Sequence, residues 1–201
     1  MTNARKSIWT PANIVTCIRV VLVPIWLFLA EAWGSPSSGS GIAVGAFAVF
    51  LGYCVISLTD KLDGYLARSR NEVTTFGKFL DPIADKLAVI VALCYLLECG
   101  EIGSWCLLIV VAREFLVSGL RMVVASKGTV IAASNLGKAK TATTMSSICG
   151  LLLCMSLPAG PFWSILHGVS WALLIVAMVL TAWSGVDYFV KSWDAITEED
   201  D

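Results

Sequence analysis

Residues Ile42–Asp60 read IAVGAFAVFLGYCVISLTD, eighteen uncharged positions followed by an aspartate. Such a run predicts a helix that can cross a bilayer, because a span needs about 20 mostly apolar residues. Working outward, five more segments read the same way, at roughly 14–32, 82–99, 103–125, 142–158 and 162–187. The segment 142–158 is the weakest of these, being short and rich in Ser and Thr. The expected fold is therefore an all-α integral membrane protein. Residues 1–201 form one domain of six transmembrane helices around a polar cavity open to the cytoplasmic side.

Composition agrees. The chain is 57% hydrophobic and 14% charged, with a mean hydropathy of +0.80, whereas a water-soluble domain carries about 25% charged residues. The net charge is −1 and no basic run is interleaved with aromatics, so no nucleic-acid partner is expected. Seven cysteines are scattered through apolar segments with neither disulfide nor zinc spacing, and read as small buried hydrophobes. Arg5 and Lys6 precede the first apolar run, but no small-x-small cleavage site in a polar setting follows it, so that run is expected to be a retained span.

Charge sets the expected orientation. The connections 31–41, 98–103 and 158–162 hold no Lys or Arg. The opposite side collects Arg5, Lys6, Lys61, Arg68, Arg70, Lys78, Lys127, Lys138, Lys140 and Lys191. This positive-inside asymmetry puts both termini and the connections 60–81 and 126–141 in the cytoplasm. Trp9, Trp33, Trp105, Trp163, Trp183 and Trp193 fall near predicted segment ends, as an aromatic belt would. His167 is the single histidine and falls near the exterior end of the last segment, where an interfacial role is expected. The tail Glu198–Asp201 reads as a solvated acidic run.

The acidic residues concentrate at one level. Asp60 and Asp63 lie where the second segment meets the cytoplasm, and Asp81 and Asp85 where the third begins. Ionised groups at membrane depth are costly and normally face a cavity or a partner. An i,i+3 pair shares a helix face, and on that face Gly64 and Ala67 leave the backbone nearly bare. Gly77, Asp81 and Asp85 step by four, a second such face if the third helix extends back to Gly77. Pro82 suits an early helical position. Four nearby carboxylates repel unless cations neutralise them. Hard oxygen ligands without His or Cys favour Mg²⁺ or Mn²⁺. Four carboxylates suffice for two ions about 3.5–4 Å apart, an arrangement common in phosphoryl transfer. The competing reading makes the aspartates boundary charges paired with Lys61, Lys78 and Lys86.

Residues 60–85 read Asp60-x2-Asp63-Gly64-x2-Ala67-Arg68-x8-Gly77-x3-Asp81-x3-Asp85, eight fixed positions over 26 residues. This resembles the signature of the CDP-alcohol phosphatidyltransferases. The resemblance implies a membrane enzyme that moves a substituted phosphoryl group from a CDP-linked donor to an alcohol and releases CMP. It implies metal binding by Asp60, Asp63 and Asp81, with Asp85 as a further ligand and the general base. It also implies that Asp60, Asp63, Gly64, Ala67, Arg68 and Gly77 hold the nucleotide and its diphosphate, and that the protein is a homodimer.

Ala112-Arg113-Glu114, Arg121 and Gly137-Lys138-x-Lys140-Thr141 resemble the phosphatidylglycerophosphate synthase branch of the family. Asn13-x2-Thr16-x2-Arg19-x4-Pro24 is similar too, without a role that the residues themselves explain. The branch implies CDP-diacylglycerol as donor and glycerol 3-phosphate as acceptor, at the cytoplasmic face of a cell membrane, a bacterial inner membrane. A dianionic acceptor phosphate needs several cations, and Arg113, Arg121, Lys138 and Lys140 are the candidates. For Arg113, structural pairing with Glu114 competes with substrate contact. For Lys138 and Lys140, ordinary flanking charge competes. Inositol phosphate, serine or phosphatidylglycerol as acceptor would keep the chemistry. An ion-coupled transporter would instead need a midplane site and structural repeats, which the sequence lacks.

Overall fold

The computed structural model describes residues 10–37, 41–69, 75–126 and 135–197. At 12, 60–69, 75, 78, 81, 126, 135 and 194–196 it describes the backbone alone. Six helices run in order: α1 (Pro11–Trp33), α2 (Val44–Ser69), α3 (Thr75–Glu98), α4 (Ser104–Ser126), α5 (Asn135–Ser156) and α6 (Pro161–Thr197). Each of the six expected segments lies on its own helix, and no strand occurs among the described residues. By length and apolarity, stretches of α1 and α6, Asn13–Trp33 and Pro161–Trp193, suffice to cross a membrane.

Several helices outrun their apolar segments. α2 continues nine residues past Asp60, so Asp60 and Asp63 lie within the helix rather than at its end. α3 begins at Thr75, which brings Gly77 into its first turn as the four-residue stepping required. Pro82 is consequently an interior residue of α3 and not an early one, a correction to the sequence reading. It deprives the carbonyl one turn earlier of its helical donor. α5 begins at Asn135, placing Gly137, Lys138 and Lys140 in helix rather than in the connection. α6 has 37 residues, roughly 55 Å of helix at 1.5 Å per residue, longer than a bilayer's hydrocarbon core.

α1 starts at a capped end: the Thr10 side chain accepts from the Asn13 backbone N–H, and Pro11 occupies the first turn, where a missing N–H costs nothing. Its far end is closed by the Gly34 N–H donating to Ala30 O at 2.7 Å. α1 packs on α2 and α3, α5 on α6 and α2, and α4 on α6 and α3. An aromatic knot joins the first three helices. Trp26 stands 5.6 Å from Tyr53 and 5.8 Å, edge-on, from Tyr95, and its indole N–H donates to Val49 O at 2.8 Å. The Tyr95 hydroxyl donates to Gly34 O at 3.0 Å. Where α5 meets α6, Gly150 lies directly against Ser170, and the Ser147 hydroxyl donates to Ser170 O at 3.0 Å. Small residues at helix contacts and hydroxyls bonded across them are how helices associate when water does not drive them together.

The exterior is more apolar than that of a water-soluble bundle, and polar side chains share the buried interior with the hydrophobic core. Asn13, Thr16, Arg19, Lys140, Thr144, Ser147, Thr181 and Ser184 are buried. Phe28, Phe115, Met122, Ile165, Val179 and Trp183 stand on the outside, each more than 60% exposed. An apolar exterior on this scale matches a hydrocarbon surrounding.

Candidate active site

A cavity of about 1010 Å³ lies between α2, α3, α4, α5 and α6. Its wall includes Asp85 and Lys86 of α3, Arg113, Glu114 and Arg121 of α4, and Lys138 and Lys140 of α5. Asp85 and all four cations expected to meet an acceptor phosphate therefore face a single hollow.

Asp85 is held from α1. An Nη of Arg19 donates to its Oδ1 at 2.6 Å. The arginine side chain is 1% exposed and the aspartate 46%, so the pair fixes one carboxylate oxygen and leaves the other side of the group toward the cavity. Asn13, Thr16 and Arg19, spaced by three along α1, form the buried polar stripe of that helix. This assigns a position to the one expected motif that lacked a role.

A second cluster surrounds Glu114. Its Oε1 accepts from Lys140 Nζ, and from Arg113 Nη1 at 3.1 Å. Lys86 Nζ donates to Ser118 Oγ and lies 4.0 Å from Glu114 Oε2. The Arg113 Nε–H donates to Ser184 Oγ on α6 at 3.1 Å. Arg113 thus pairs with Glu114, as one of its two readings from the sequence expected, and also lines the cavity. Lys140 is buried among helices and is not a surface flanking charge, whereas Lys138 is exposed. Arg121 lies with its guanidinium 5.5 Å from the centre of the Tyr188 ring, a cation–π contact to α6.

The remaining expected site residues are placed by backbone. Asp60, Asp63, Gly64, Ala67 and Arg68 ride the last three turns of α2, and Asp81 lies one turn before Asp85 on α3. Their side chains lie outside the described residues, as do Arg5, Lys6, Thr74 and the 198–201 tail. Gly77 is buried in the first turn of α3. Among the described side chains no group of three or more His, Cys, Asp or Glu could hold a metal, and of the four aspartates those include Asp85 alone.

Sequence reasoning passed over Glu114 as a hub and Arg19 as the partner of Asp85. An arginine within an otherwise apolar segment was the available signal, since such a charge needs a partner inside the protein. His167 falls far from this cavity: its ring stacks on Trp163 at 4.7 Å, and its Nε2 is 3.2 Å from Glu101 Oε2.

Comparison with known proteins identifies the family. A family model described as CDP-alcohol phosphatidyltransferase matches residues 9–183. The CDP-diacylglycerol–glycerol-3-phosphate 3-phosphatidyltransferase of Bacillus subtilis (strain 168) is 39% identical over 188 residues, covering 92% of this chain and 95% of that protein. Proteins of the same name from Pseudomonas fluorescens and Escherichia coli (strain K12) are 37% and 36% identical. They cover 90% and 88% of this chain, and 89% and 91% of their own lengths. The signature, the cavity and these similarities lead to one assignment: the chain belongs to the CDP-alcohol phosphatidyltransferase family.

Proposed function

We propose that this protein transfers the phosphatidyl group of CDP-diacylglycerol to glycerol 3-phosphate, forming phosphatidylglycerophosphate and CMP. The observation that carries this reading is the cavity in which Asp85 and the cations Arg113, Arg121, Lys138 and Lys140 share one wall. A carboxylate able to take a hydroxyl proton stands beside a cationic surface able to hold a phosphate dianion. That pairing is what an acceptor carrying both groups requires.

In the proposed reaction the acceptor's free primary hydroxyl attacks the donor phosphorus that bears the diacylglycerol. A new P–O bond forms, the bond to the CMP oxygen breaks, and Asp85 takes the hydroxyl proton. Arg19 keeps that carboxylate in place. Arg113, Arg121, Lys138 and Lys140 bind the acceptor's phosphate, while Asp60, Asp63, Gly64, Ala67, Arg68 and Gly77 take the nucleotide end. Six spans with both termini and the cavity mouth in the cytoplasm, assembled as a homodimer, complete the proposal.

The donor set fits hard divalent cations. The helical backbone of α2 and α3 realises the i,i+3 and i,i+4 spacings that put Asp60 with Asp63 on one stripe and Asp81 with Asp85 on another. All four groups offer only oxygen. These residues would hold one or two Mg²⁺ or Mn²⁺ ions, whose chemistry is to neutralise the diphosphate and stabilise the departing CMP.

The test is acceptor competition. Purified protein receives CDP-diacylglycerol, a divalent cation, and glycerol 3-phosphate, inositol phosphate, serine or phosphatidylglycerol in turn. CMP release is followed. Turnover confined to glycerol 3-phosphate is the expected result, and preference for another alcohol would refute the acceptor.

A further inference from the structure

The cationic wall of the cavity contains one anion whose place the transfer reaction does not explain. Glu114 receives Arg113 Nη1 at 3.1 Å on the same oxygen as Lys140 Nζ, and Lys86 Nζ stands 4.0 Å from the other. The three cations come from α4, α5 and α3 respectively. Ser184 of α6 accepts from Arg113, and Ser118, one turn along from Glu114, accepts from Lys86. Groups from α3, α4 and α5 therefore meet at a single carboxylate, and α6 joins through Arg113. Arg113, Glu114 and Lys140 have side chains only 14, 13 and 11% exposed, so these charges have lost most of their water.

Desolvated cations at such spacing repel one another and splay unless an anion gathers them. Glu114 gathers them, and it is aimed by the same contacts. Three cations against one carboxylate leave this cluster with a surplus of two positive charges, and Arg121 and Lys138 add to the positive wall of the same cavity. A phosphate monoester dianion carries the complementary charge, and an uncharged alcohol or a phosphodiester does not.

We infer that Glu114 is a positioning and specificity-determining residue, holding Lys86, Arg113 and Lys140 as a preformed claw whose surplus charge matches a dianionic phosphate monoester. The inference rests on the acceptor reading above and adds Glu114 and Lys86 to it. Glu114 acts through the cations it organises and touches neither the attacking hydroxyl nor the phosphorus. With Glu114 neutral, Lys140 and Arg113 lose their shared partner, and acceptor binding weakens although the local positive charge rises. Preorganisation outweighs raw charge here because the claw's geometry exists only while the anion is present.

The experiment uses the full chain purified in detergent micelles containing CDP-diacylglycerol. It measures KM for glycerol 3-phosphate and for the donor separately, in the wild type and in Glu114→Gln and Glu114→Asp. Glu114→Gln is expected to raise the acceptor KM about tenfold or more, equivalent to about 1.4 kcal/mol or more of acceptor binding. The donor KM should stay within about twofold. Glu114→Asp, which keeps the charge on a shorter stem, should fall between. If Glu114→Gln does not fold, Glu114→Asp decides alone: a raised acceptor KM with an unchanged donor KM supports the inference. Unchanged kinetics, or parallel shifts in both KM values with a lowered melting temperature, would overturn it and leave Glu114 a structural ion-pair residue. Failure of the wild type to use glycerol 3-phosphate would instead overturn the acceptor reading, and this inference with it.

Discussion

Arg19 and Asp85 lie 66 residues apart in the chain and meet at 2.6 Å, the arginine buried in α1 and the aspartate opening from α3 into the cavity. The pair joins α1, a helix outside the signature, to the residue proposed to accept the hydroxyl proton. Exchanging Asp85 for Asn keeps the shape and an oxygen for Arg19 while removing the base. The expected outcome is a fall in turnover of about 10²–10⁴-fold, the usual range for loss of a general base. The melting temperature in detergent should stay close to that of the wild type. Retained CMP release would refute the role of Asp85.

Removal of divalent cations supplies the second prediction. The proposed ligands Asp60, Asp63, Asp81 and Asp85 offer oxygen alone, and four neighbouring carboxylates without a cation would repel one another. Chelation with EDTA should abolish CMP release, and Mg²⁺ or Mn²⁺ should restore it. Full activity after exhaustive chelation would exclude the metal proposal while leaving the acceptor claw untouched.

Packing at the end of α1 gives a prediction that does not depend on function. A Cβ built on Gly45 would meet the Trp33 carbonyl oxygen at 2.0 Å, a backbone atom that cannot rotate away, whereas one on Gly168 would meet nothing within 4 Å. Gly45→Ala should destabilise the protein by about 1–3 kcal/mol, the usual cost of overpacking. Gly168→Ala should be neutral or slightly stabilising, because alanine favours helix. Thermal unfolding in one detergent compares the two directly, and equal melting temperatures would contradict the packing described at Trp33.

These contrasts separate what the sequence makes legible from what it does not. Hydropathy locates six helices because each carries an apolar stretch, of bilayer length in α1 and α6 and shorter in α2. It places their ends poorly, since α2 from Asp60 to Ser69 and α3 before Pro82 continue as helix without an apolar signal. Spacing brings Arg113 and Arg121 to one side of α4, and the cavity gathers them with Asp85. The partners of these residues are another matter. That Arg19 meets Asp85, or that Lys140 meets Glu114 26 residues away, follows from which helices are neighbours. No periodicity within a single helix encodes that.

The last prediction tests whether substrates occupy the cavity at all. Cys54 of α2 and Cys149 of α5 bring their sulfurs to 4.0 Å, and both line the hollow that holds Asp85. A maleimide on either thiol would add bulk inside the cavity where, in the proposed reaction, the donor's phosphorus and the acceptor meet beside Asp85. Treatment with N-ethylmaleimide should therefore inhibit CMP release, and prior incubation with the donor should slow that inhibition. Thiols elsewhere, such as the exposed Cys94, react as well, so the comparison that decides is the Cys54→Ala/Cys149→Ala double variant. If the cavity is the reaction chamber, that variant keeps its activity under the same treatment, because its remaining adducts lie outside the hollow. Equal inhibition of both proteins, or no protection by the donor, would mean that the substrates bind somewhere other than between α2 and α5.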